Sequence, residues 1–391
     1  MSEILASTSD GLARITLNRP QALHALTTHM CANMSQALLA WRDDASIHAV
    51  LIDHAPGTRG FCAGGDIRVI AESGAGDGKA ARKFFFTEYQ LNHLLFHYPK
   101  PVVAFIDGVT MGGGVGISMP ARFRVATENT TYAMPETGIG LFPDVGGGWY
   151  LPRKPGQIGM WLALTGARLK AADCLIAGIA THYVEAAKLD EVKQALQLSS
   201  PAGGGGGREA TGGGADAQAL ASTAAHRPLS HASHDSSPAR GGANLGDVLA
   251  RFASDAGPAR ELTPENIERI NRIFALGSVE AIFAALEADG SEWAAAQLAT
   301  LKTKSPQTLK VSFRQLREGA RMKSFTDEMR QEYRIAARVA TRHDVLEGVR
   351  ALIVDKDNKP AWNPATLAGV TDAMLDDIFA PLPANEEWSP L

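Results

Sequence analysis

The sequence predicts an α/β protein in which a region of alternating strands and helices precedes a mainly helical region. In residues 1–198, short apolar runs typical of strands alternate with longer runs that have helical spacing. In residues 245–391, long runs with helical spacing begin at capping residues followed by proline. The intervening residues 199–244 have the composition of a linker. We therefore expect two ordered regions joined by an insertion.

The first region supplies the strands of the predicted fold. Four short apolar segments are predicted to be strands: 12–18, 48–53, 102–108 and 123–127. Two longer segments are predicted to be helices: 22–41 and 79–96. This alternation of strands and helices is the pattern of the α/β class.

The second region is predicted to be helical from its start signals. Thr263-Pro264-Glu265 and Ser305-Pro306 each place a capping residue before a proline at the first helical position. Helical spacing then continues to about Val354. Residues 245–391 are therefore expected to be a C-terminal helical region.

Residues 199–244 are predicted to be a disordered Gly/Ala/Ser-rich insertion. The segment contains no Ile, Val, Met, Phe, Tyr or Trp and holds ten of the 39 glycines, so it cannot bury enough apolar surface to offset its ordering entropy. Its histidines, His226, His231 and His234, fit no helix face and lack a surrounding set of thiols or carboxylates. The composition thus favours a solvated linker over a metal site.

Composition also limits the class of partner. The 391 residues are 45% hydrophobic and 20% charged, with a net charge of −4, so no general basic field exists for nucleic acid or an anionic membrane. The most apolar stretch, residues 101–119, is interrupted by Asp107 and a glycine triplet, which argues against a membrane span. An anionic ligand must therefore be held by a local site.

Cysteine usage and the N-terminal segment predict the compartment. Cys31, Cys62 and Cys174 are an odd number at wide spacing, without a CxxC pair for zinc or redox chemistry. The first residues include Glu3 and Asp10 and contain no apolar run of signal-peptide length. We expect free thiols, no metal site and a cytoplasmic location.

Two glycine-bearing turns are candidates for binding a developing negative charge. Gly64 and Gly65 precede the predicted helix start at Asp66, and Gly113 lies in a second strand-to-helix turn. Two backbone N–H groups from such turns would form an oxyanion hole if they converged. The alternative is that both are ordinary tight turns. Neither segment has the spacing of a nucleotide-phosphate loop.

Residues 134–150 carry two carboxylates in an apolar, glycine-rich setting. Desolvation there would raise the pKa of Glu136 and Asp144, as acid–base or nucleophilic roles require. A helix cap or a buried ion pair is the alternative. Ser118 lacks the second glycine of a nucleophile elbow, and the spacing assigns no histidine to Cys62. The sequence therefore gives little support for a serine or cysteine hydrolase.

These motifs together resemble the crotonase (enoyl-CoA hydratase/isomerase) superfamily and, more closely, its 3-hydroxyisobutyryl-CoA hydrolase branch. The similar segments lie in both regions of the chain: 61–68, 110–116, 134–149, 305–310, 332–334 and 347–356. The resemblance implies a spiral of ββα turns followed by a helical region. It also implies a thioesterase that converts 3-hydroxyisobutyryl-CoA to 3-hydroxyisobutyrate and CoA, as in valine breakdown.

Site roles follow from the resemblance residue by residue. It implies an oxyanion hole made by the N–H groups of Gly65 and Gly113, with Glu136 and Asp144 as the catalytic pair. Glu88 is the implied substrate-contacting residue, and Gly113, Glu136 and Asp144 also bind the substrate. The implied partner is the acyl-CoA itself, without a metal or redox cofactor, and members of the family are often trimers or hexamers, so a homo-oligomer is possible.

Two other functions remain open, and one position distinguishes the first of them. An enoyl-CoA hydratase or isomerase would use the same oxyanion hole, but hydratases of the family place a catalytic Glu where Gly116 stands here. A catalytically silent CoA-binding protein would lack an acidic residue of the pair, whereas both are present. The sequence also differs from the family pattern at His24. This residue stands where the family usually has Asn, near the expected CoA contacts.

Overall fold

The structure is a computed structural model that describes residues 2–199 and 245–391. Within these residues the strands are β1 (Ile4–Ser9), β2 (Leu12–Leu17), β3 (Ala49–His54), β4 (Gly60–Cys62), β5 (Val102–Ile106), β6 (Val109–Met111), β7 (Phe123–Ala126), β8 (Thr131–Ala133) and β9 (His182–Tyr183). The larger sheet has the order β1-β2-β3-β5-β7-β9, antiparallel between β1 and β2 and parallel elsewhere. The smaller sheet has the order β4-β6-β8 and is parallel.

Helices surround both sheets. Those before the insertion are α1 (Thr28–Arg42), α2 (Ile67–Gly74), α3 (Lys79–Phe96), α4 (Gly113–Ser118), α5 (Gly147–Tyr150), α6 (Ile158–Thr165), α7 (Ala171–Ile176) and α8 (Leu189–Leu198). Those after it are α9 (Leu245–Phe252), α10 (Pro264–Ile273), α11 (Val279–Asp289), α12 (Glu292–Lys302), α13 (Pro306–Gly319), α14 (Phe325–Val339), α15 (His343–Val349) and α16 (Asp372–Phe379). Short 3-10 turns cover Pro20–Ala22, Glu136–Ile139, Leu151–Arg153, Ala186–Lys188 and Leu367–Gly369, and a π-helical turn covers Arg350–Val354.

The strands alternate between the two sheets as the chain winds. Each of three successive turns contributes one strand to the larger sheet and the next strand to the smaller sheet, in the pairs β3–β4, β5–β6 and β7–β8. A helix or helical turn follows each pair: α2, α4 and the turn Glu136–Ile139. The predicted ββα spiral with a C-terminal helical region is therefore confirmed.

The central strands β3 and β5 of the larger sheet are buried on both faces, as expected of parallel strands covered by helices. Val50 and Ala104 point into the main core, which also contains Ile335 of α14. On the opposite face of these strands, alternate residues such as Leu51 pack with Val248 in a second hydrophobic cluster. Helices α8 and α9 cover this face. The C-terminal helices thus complete both sides of the sheet.

Most predicted elements of the first region agree with the structure, and one helix begins later than expected. The segment 79–96 is helix α3 with the predicted bounds, whereas α1 begins at Thr28 instead of residue 22. Leu23 and His24 have positive φ angles of 48° and 57°, which interrupt a helix, and the Thr27 hydroxyl then accepts the Met30 N–H at 3.1 Å. The strands of the smaller sheet were not predicted because they are only three residues long.

The helix starts predicted in the second region are correct. Thr263 and Ser305 cap α10 and α13 through their side chains, and each helix has proline at its first position. The predicted insertion 199–244 lies outside the described residues, except for Ser199. Among the described helices, none is long and apolar enough to cross a membrane.

Candidate active site

The predicted site segments follow the strands of the smaller sheet. Gly65 comes soon after β4, Gly113 soon after β6 and Glu136 soon after β8. Because the carboxyl ends of parallel strands meet at the same edge of a sheet, these segments converge. The tertiary structure therefore assembles the two glycine turns and the first carboxylate at one place.

The two glycine turns are in direct contact. A Cβ built on Gly113 would lie 3.2 Å from the Gly64 carbonyl carbon, and one built on Gly65 would lie 2.7 Å from Cζ of Phe84. Neither position has room for a side chain without movement of its neighbours. Within the described residues, no acceptor takes the N–H of Gly65 or Gly113. Two adjacent unpaired amides are the arrangement that an oxyanion hole requires.

Glu136 lies beside these amides at the start of its helical turn. Its Oε1 is 3.2 Å from the position that a Cβ on Gly112 would take, and its Oε2 is buried without a hydrogen-bond partner among the described residues. Burial, followed by the charge of Asp144, raises the pKa of Glu136 well above its usual value, and the ammonium of Lys304 opposes this shift. The Glu136 carboxylate is therefore a strong base with a free oxygen.

Asp144 is held by a tyrosine from α3. The Tyr89 hydroxyl donates a hydrogen bond to Asp144 Oδ2 at 2.9 Å, and both residues are buried. Burial and the nearby Glu332 carboxylate raise the pKa of Asp144 to about 8. A group with this pKa is poised to transfer protons near neutral pH.

Glu88 projects from α3 toward the second glycine turn. Its Oε1 lies 2.5 Å from the position of a Cβ on Gly113 and has no hydrogen-bond partner within the described chain. Burial and the charges of Asp144, Glu332 and Glu136 raise the pKa of Glu88 well above its usual value. The five residues predicted for the site therefore lie in one region: Glu88 and Glu136 are beside the second glycine turn, and Asp144 is close enough to interact electrostatically with both carboxyls.

Sequence reasoning missed three side chains of this site. Tyr89 holds Asp144, while Glu328 and Glu332 of α14 add two further buried carboxyls beneath it. Charged residues at positions 328 and 332 fall on the apolar, core-facing side of an amphipathic helix, next to the buried Met329, Tyr333 and Ile335. Acidic residues on the apolar face of a predicted helix could have indicated this part of the site from the sequence, because carboxylates are almost never fully buried unless they are paired.

Position 116 has no space for a carboxylate. A Cβ on Gly116 would lie 2.6 Å from Cβ of Val145 and 2.7 Å from Nδ2 of Asn92. A glutamate there would require both neighbours to move. The acidic groups of the described site therefore come from other positions, and packing excludes one from position 116.

A surface cavity of about 210 Å³ lies next to the first glycine turn. Its lining residues are Thr27, Thr28, His29, Asp66, Val69, Ile70 and Phe84. The Phe84 ring also lies against Gly65, so one wall of the cavity borders the first glycine turn. The resemblance places the CoA contacts near His24, a few residues before Thr27 in the chain.

His24 does not face this cavity. Its side chain is fully buried, its Nδ1 accepts the Arg19 N–H at 2.9 Å, and its ring lies 5.4 Å from that of His54. Burial lowers the pKa of His24 to about 4, so the ring is neutral. The residue therefore supports the loop from inside and does not present a charge to a ligand.

The acidic residues of the site do not form a metal centre. Throughout residues 2–199 and 245–391, no group of His, Cys, Asp and Glu side chains is arranged to hold a metal ion. The three cysteines are buried and free.

The chain matches one protein family over most of its length. A family model described as enoyl-CoA hydratase/isomerase matches residues 12–379. The chain belongs to this family. Two similar solved structures are a carnitinyl-CoA dehydratase from Mycobacterium thermoresistibile (36% identity, 100% and 99% of the two chains, TM-score 0.83) and an enoyl-CoA hydratase from Rhodobacter sphaeroides (34%, 99% and 100%, TM-score 0.81).

Curated relatives within this family carry a different activity in their names. Proteins named 3-hydroxyisobutyryl-CoA hydrolase, mitochondrial, are 41% identical in Gallus gallus and 39% identical in Homo sapiens. Each alignment covers 98% of this chain and 90% of the relative. The corresponding protein of Danio rerio is 43% identical over 97% of this chain and 90% of the relative.

These names correct one prediction. The cytoplasmic location expected from the sequence is wrong, because the named relatives are mitochondrial proteins. The prediction used the absence of an apolar export segment, whereas mitochondrial targeting relies on amphipathic, Arg- and Ser-rich segments. Free thiols also do not distinguish one reducing compartment from another.

Proposed function

We propose that the chain is an acyl-CoA thioesterase that hydrolyses 3-hydroxyisobutyryl-CoA to 3-hydroxyisobutyrate and CoA, a step of valine breakdown. The observation that carries the proposal is the set of buried carboxyls at 136 and 144 beside the free amides of Gly65 and Gly113. Relatives that share about 40% of the sequence over almost the whole chain bear the name of this hydrolase.

The two amides would bind the thioester oxygen. With the carbonyl between Gly65 and Gly113, both N–H groups point to the oxygen on which negative charge develops during attack. These donors belong to the backbone of contacting turns and need no reorganisation. Each such donor contributes a factor of about 10²–10³ in other acyl-transfer enzymes.

Glu136 would begin the reaction. Either its carboxylate attacks the carbonyl carbon and forms a mixed anhydride, or it removes a proton from a water molecule that attacks instead. In the first route, water later hydrolyses the anhydride and restores the carboxylate. The unpartnered Oε2 is available for either step. Both routes require the ionised form of Glu136, which burial disfavours and the ammonium of Lys304 partly restores.

Asp144 would supply the proton for the leaving group. With a pKa of about 8, its carboxyl is mostly protonated at neutral pH and can protonate the CoA sulfur as the C–S bond breaks. In the anhydride route, the resulting carboxylate then accepts a proton from the water that hydrolyses the anhydride. In the activated-water route, it accepts the proton that Glu136 took from the attacking water, which restores both groups. Tyr89, which donates to Oδ2, fixes the orientation of the carboxyl during both transfers.

Glu88 would bind the 3-hydroxyl group of the substrate. Its carboxyl lies beside Gly113 and therefore near the acyl group of a bound thioester, and its oxygen Oε1 lacks a protein partner in the described chain. Asp144 is the other group that could serve this role. Because the proposed steps use only these side chains and amides, we propose that hydrolysis needs no metal or redox cofactor.

The second candidate is an enoyl-CoA hydratase, which is the activity named for the similar solved structure from Rhodobacter sphaeroides. Addition of water to a double bond needs a base and an acid placed along the acyl chain. The closed space around Gly116 removes the position at which hydratases of the family carry one of these groups. A silent CoA-binding protein is disfavoured because both residues of the pair are present and buried.

The two activities are distinguished by their products. Supplied with 3-hydroxyisobutyryl-CoA, the protein should release CoA thiol, measured with a colorimetric thiol reagent, and EDTA should leave the rate unchanged. Supplied with crotonyl-CoA, it should leave the enoyl thioester absorbance nearly constant. Rapid loss of that absorbance without thiol release from the hydroxyacyl ester would instead establish hydratase activity. Inactivity with both esters would favour the catalytically silent CoA-binding protein.

A further inference from the structure

The loop that carries Asp144 has little regular structure of its own. Val145 and Gly146 follow Asp144 with φ angles of 54° and 89°, and the next helix, α5, has only four residues. Consecutive left-handed residues are costly for a non-glycine position, so the conformation must be imposed by the surroundings. The groups that impose it also determine where the Asp144 carboxyl lies.

The surroundings that hold this loop come from α14. The Glu332 carboxylate accepts the N–H of Gly146 at 2.8 Å through Oε2 and the N–H of Gly148 at 3.0 Å through Oε1. Glu332 is completely buried and lies 186 residues from Gly146 in the chain. One carboxylate thus bridges two amides immediately after Asp144.

A glutamine from α13 holds the other side of the loop. The Gln315 side chain donates to the Pro143 carbonyl at 2.9 Å and to Glu332 Oε1 at 3.0 Å. Pro143 directly precedes Asp144, so the catalytic loop is fixed both before and after the carboxylate. Glu332 accepts three N–H donors in total. Burial and the neighbouring Glu328 carboxyl raise the pKa of Glu332 well above its usual value, and the two backbone donors oppose this rise.

Glu328 lies one helical turn before Glu332 and is also completely buried. The two carboxyls interact directly, and Gln315 is close to both. Two adjacent buried carboxyls cannot both be ionised without strong repulsion. The three N–H donors converge on Glu332, so the carboxyl that binds the loop is Glu332 and not Glu328.

We propose that Glu332 is a positioning residue for catalysis: its carboxyl group holds the Pro143–Gly148 loop and thereby Asp144. This inference rests on the proposed function, since it concerns the same proton-transferring group. It assigns a role to a buried carboxyl that the reaction itself does not use.

The test compares three substitutions. Glu332→Gln keeps the shape but replaces one acceptor oxygen with an NH₂ group that faces a backbone N–H, so the loop must shift. We expect kcat to fall by about 10–100-fold, the loss typical of a misplacement near 1 Å, with KM within about threefold of wild type. Glu328→Gln leaves all three hydrogen bonds to Glu332 in place and should keep most of the activity. Asp327→Asn, an exposed position on the same helix, is the matched control.

The outcomes are separable from those of the proposed function. Thiol release from 3-hydroxyisobutyryl-CoA by the wild type tests the function itself, and the variants are measured at a temperature at which each remains folded by circular dichroism. If the wild type is active and folded Glu332→Gln keeps its kcat, Glu332 has only a structural role and the proposal is wrong. If folded Glu328→Gln loses as much activity as Glu332→Gln, the loss does not come from the hydrogen bonds between Glu332 and the loop, and the proposal is wrong.

Discussion

Tyr89 and Asp144 are joined by a buried hydrogen bond of 2.9 Å between the phenol and Oδ2. The bond connects α3 with the loop after β8, and it lies where two further carboxyls, Glu88 and Glu332, raise the local negative potential. A carboxyl in this setting gains a proton at a pH at which an exposed aspartate has long lost it. The behaviour of Asp144 therefore provides the most direct test of the proposed mechanism.

The rate of hydrolysis should decrease on the alkaline side. If protonated Asp144 is the general acid, kcat must fall as the pH rises through its pKa of about 8, because the active form is the protonated one. The measurement is kcat for thiol release between pH 6 and pH 10, over a range in which the protein stays folded. A kcat that stays constant to pH 10 would remove the general-acid role from Asp144.

Stability should also depend on the Asp144 proton. Its folded pKa of about 8 exceeds the usual value of 3.8, so the folded state binds more protons than the unfolded state between these values. The free energy of unfolding must then fall as the pH rises across this interval. Asp144→Asn removes this contribution, so its gain in melting temperature over wild type should be larger at pH 8 than at pH 5. An equal difference at both pH values would contradict the raised pKa.

Removal of the Glu136 carboxylate should abolish most of the activity. Glu136→Gln keeps the shape of the side chain but deletes the nucleophile or base, for which we expect kcat to fall by about 10²–10⁴-fold or more. KM should change little, and calorimetry should show an intact fold. Glu287→Gln, at an exposed position of α11, serves as the control. Near wild-type turnover by Glu136→Gln would end its assignment as a catalytic residue.

A side chain at position 116 should disturb the site through packing. In Gly116→Ala the new Cβ would lie 2.6 Å from Val145 Cβ, next to Asp144, so we expect a loss of about 1–3 kcal/mol in unfolding free energy and lower thiol release. Gly277→Ala is the matched control, because a Cβ there meets nothing within 4 Å and its φ is not left-handed. Equal stability of the two variants by chemical denaturation would show that the space at Gly116 is not closed.

The predicted insertion should be dispensable for activity. Helices α8 and α9, which flank it, pack against the same face of the larger sheet through Leu196 and Val248. Replacement of residues 200–244 by a short Gly/Ser connection should therefore retain kcat/KM. Deletion of residues 200–252, which also removes α9, should instead destabilise the fold. A large loss of activity in the well-folded shorter deletion would assign the segment a role in the site.

Local sequence patterns determined much of this protein before its structure was known. The sequence alone predicted the alternation of strands and helices, the capped starts of α10 and α13, and the glycine turns at 65 and 113. These features depend on neighbouring residues in the chain, whose propensities act in any fold. The resemblance added the ββα spiral and the choice of Glu88, Glu136 and Asp144 for the site.

Other features were decided only by the tertiary structure. The smaller sheet, whose strands have three residues each, is stable only because neighbouring turns of the spiral complete its ladder. The contact between Glu332 and the loop of Asp144 joins positions 186 residues apart, and no local pattern encodes such a contact. The raised pKa of Asp144 likewise depends on burial and on a carboxylate from α14, because charge is destabilised only where distant segments together exclude water.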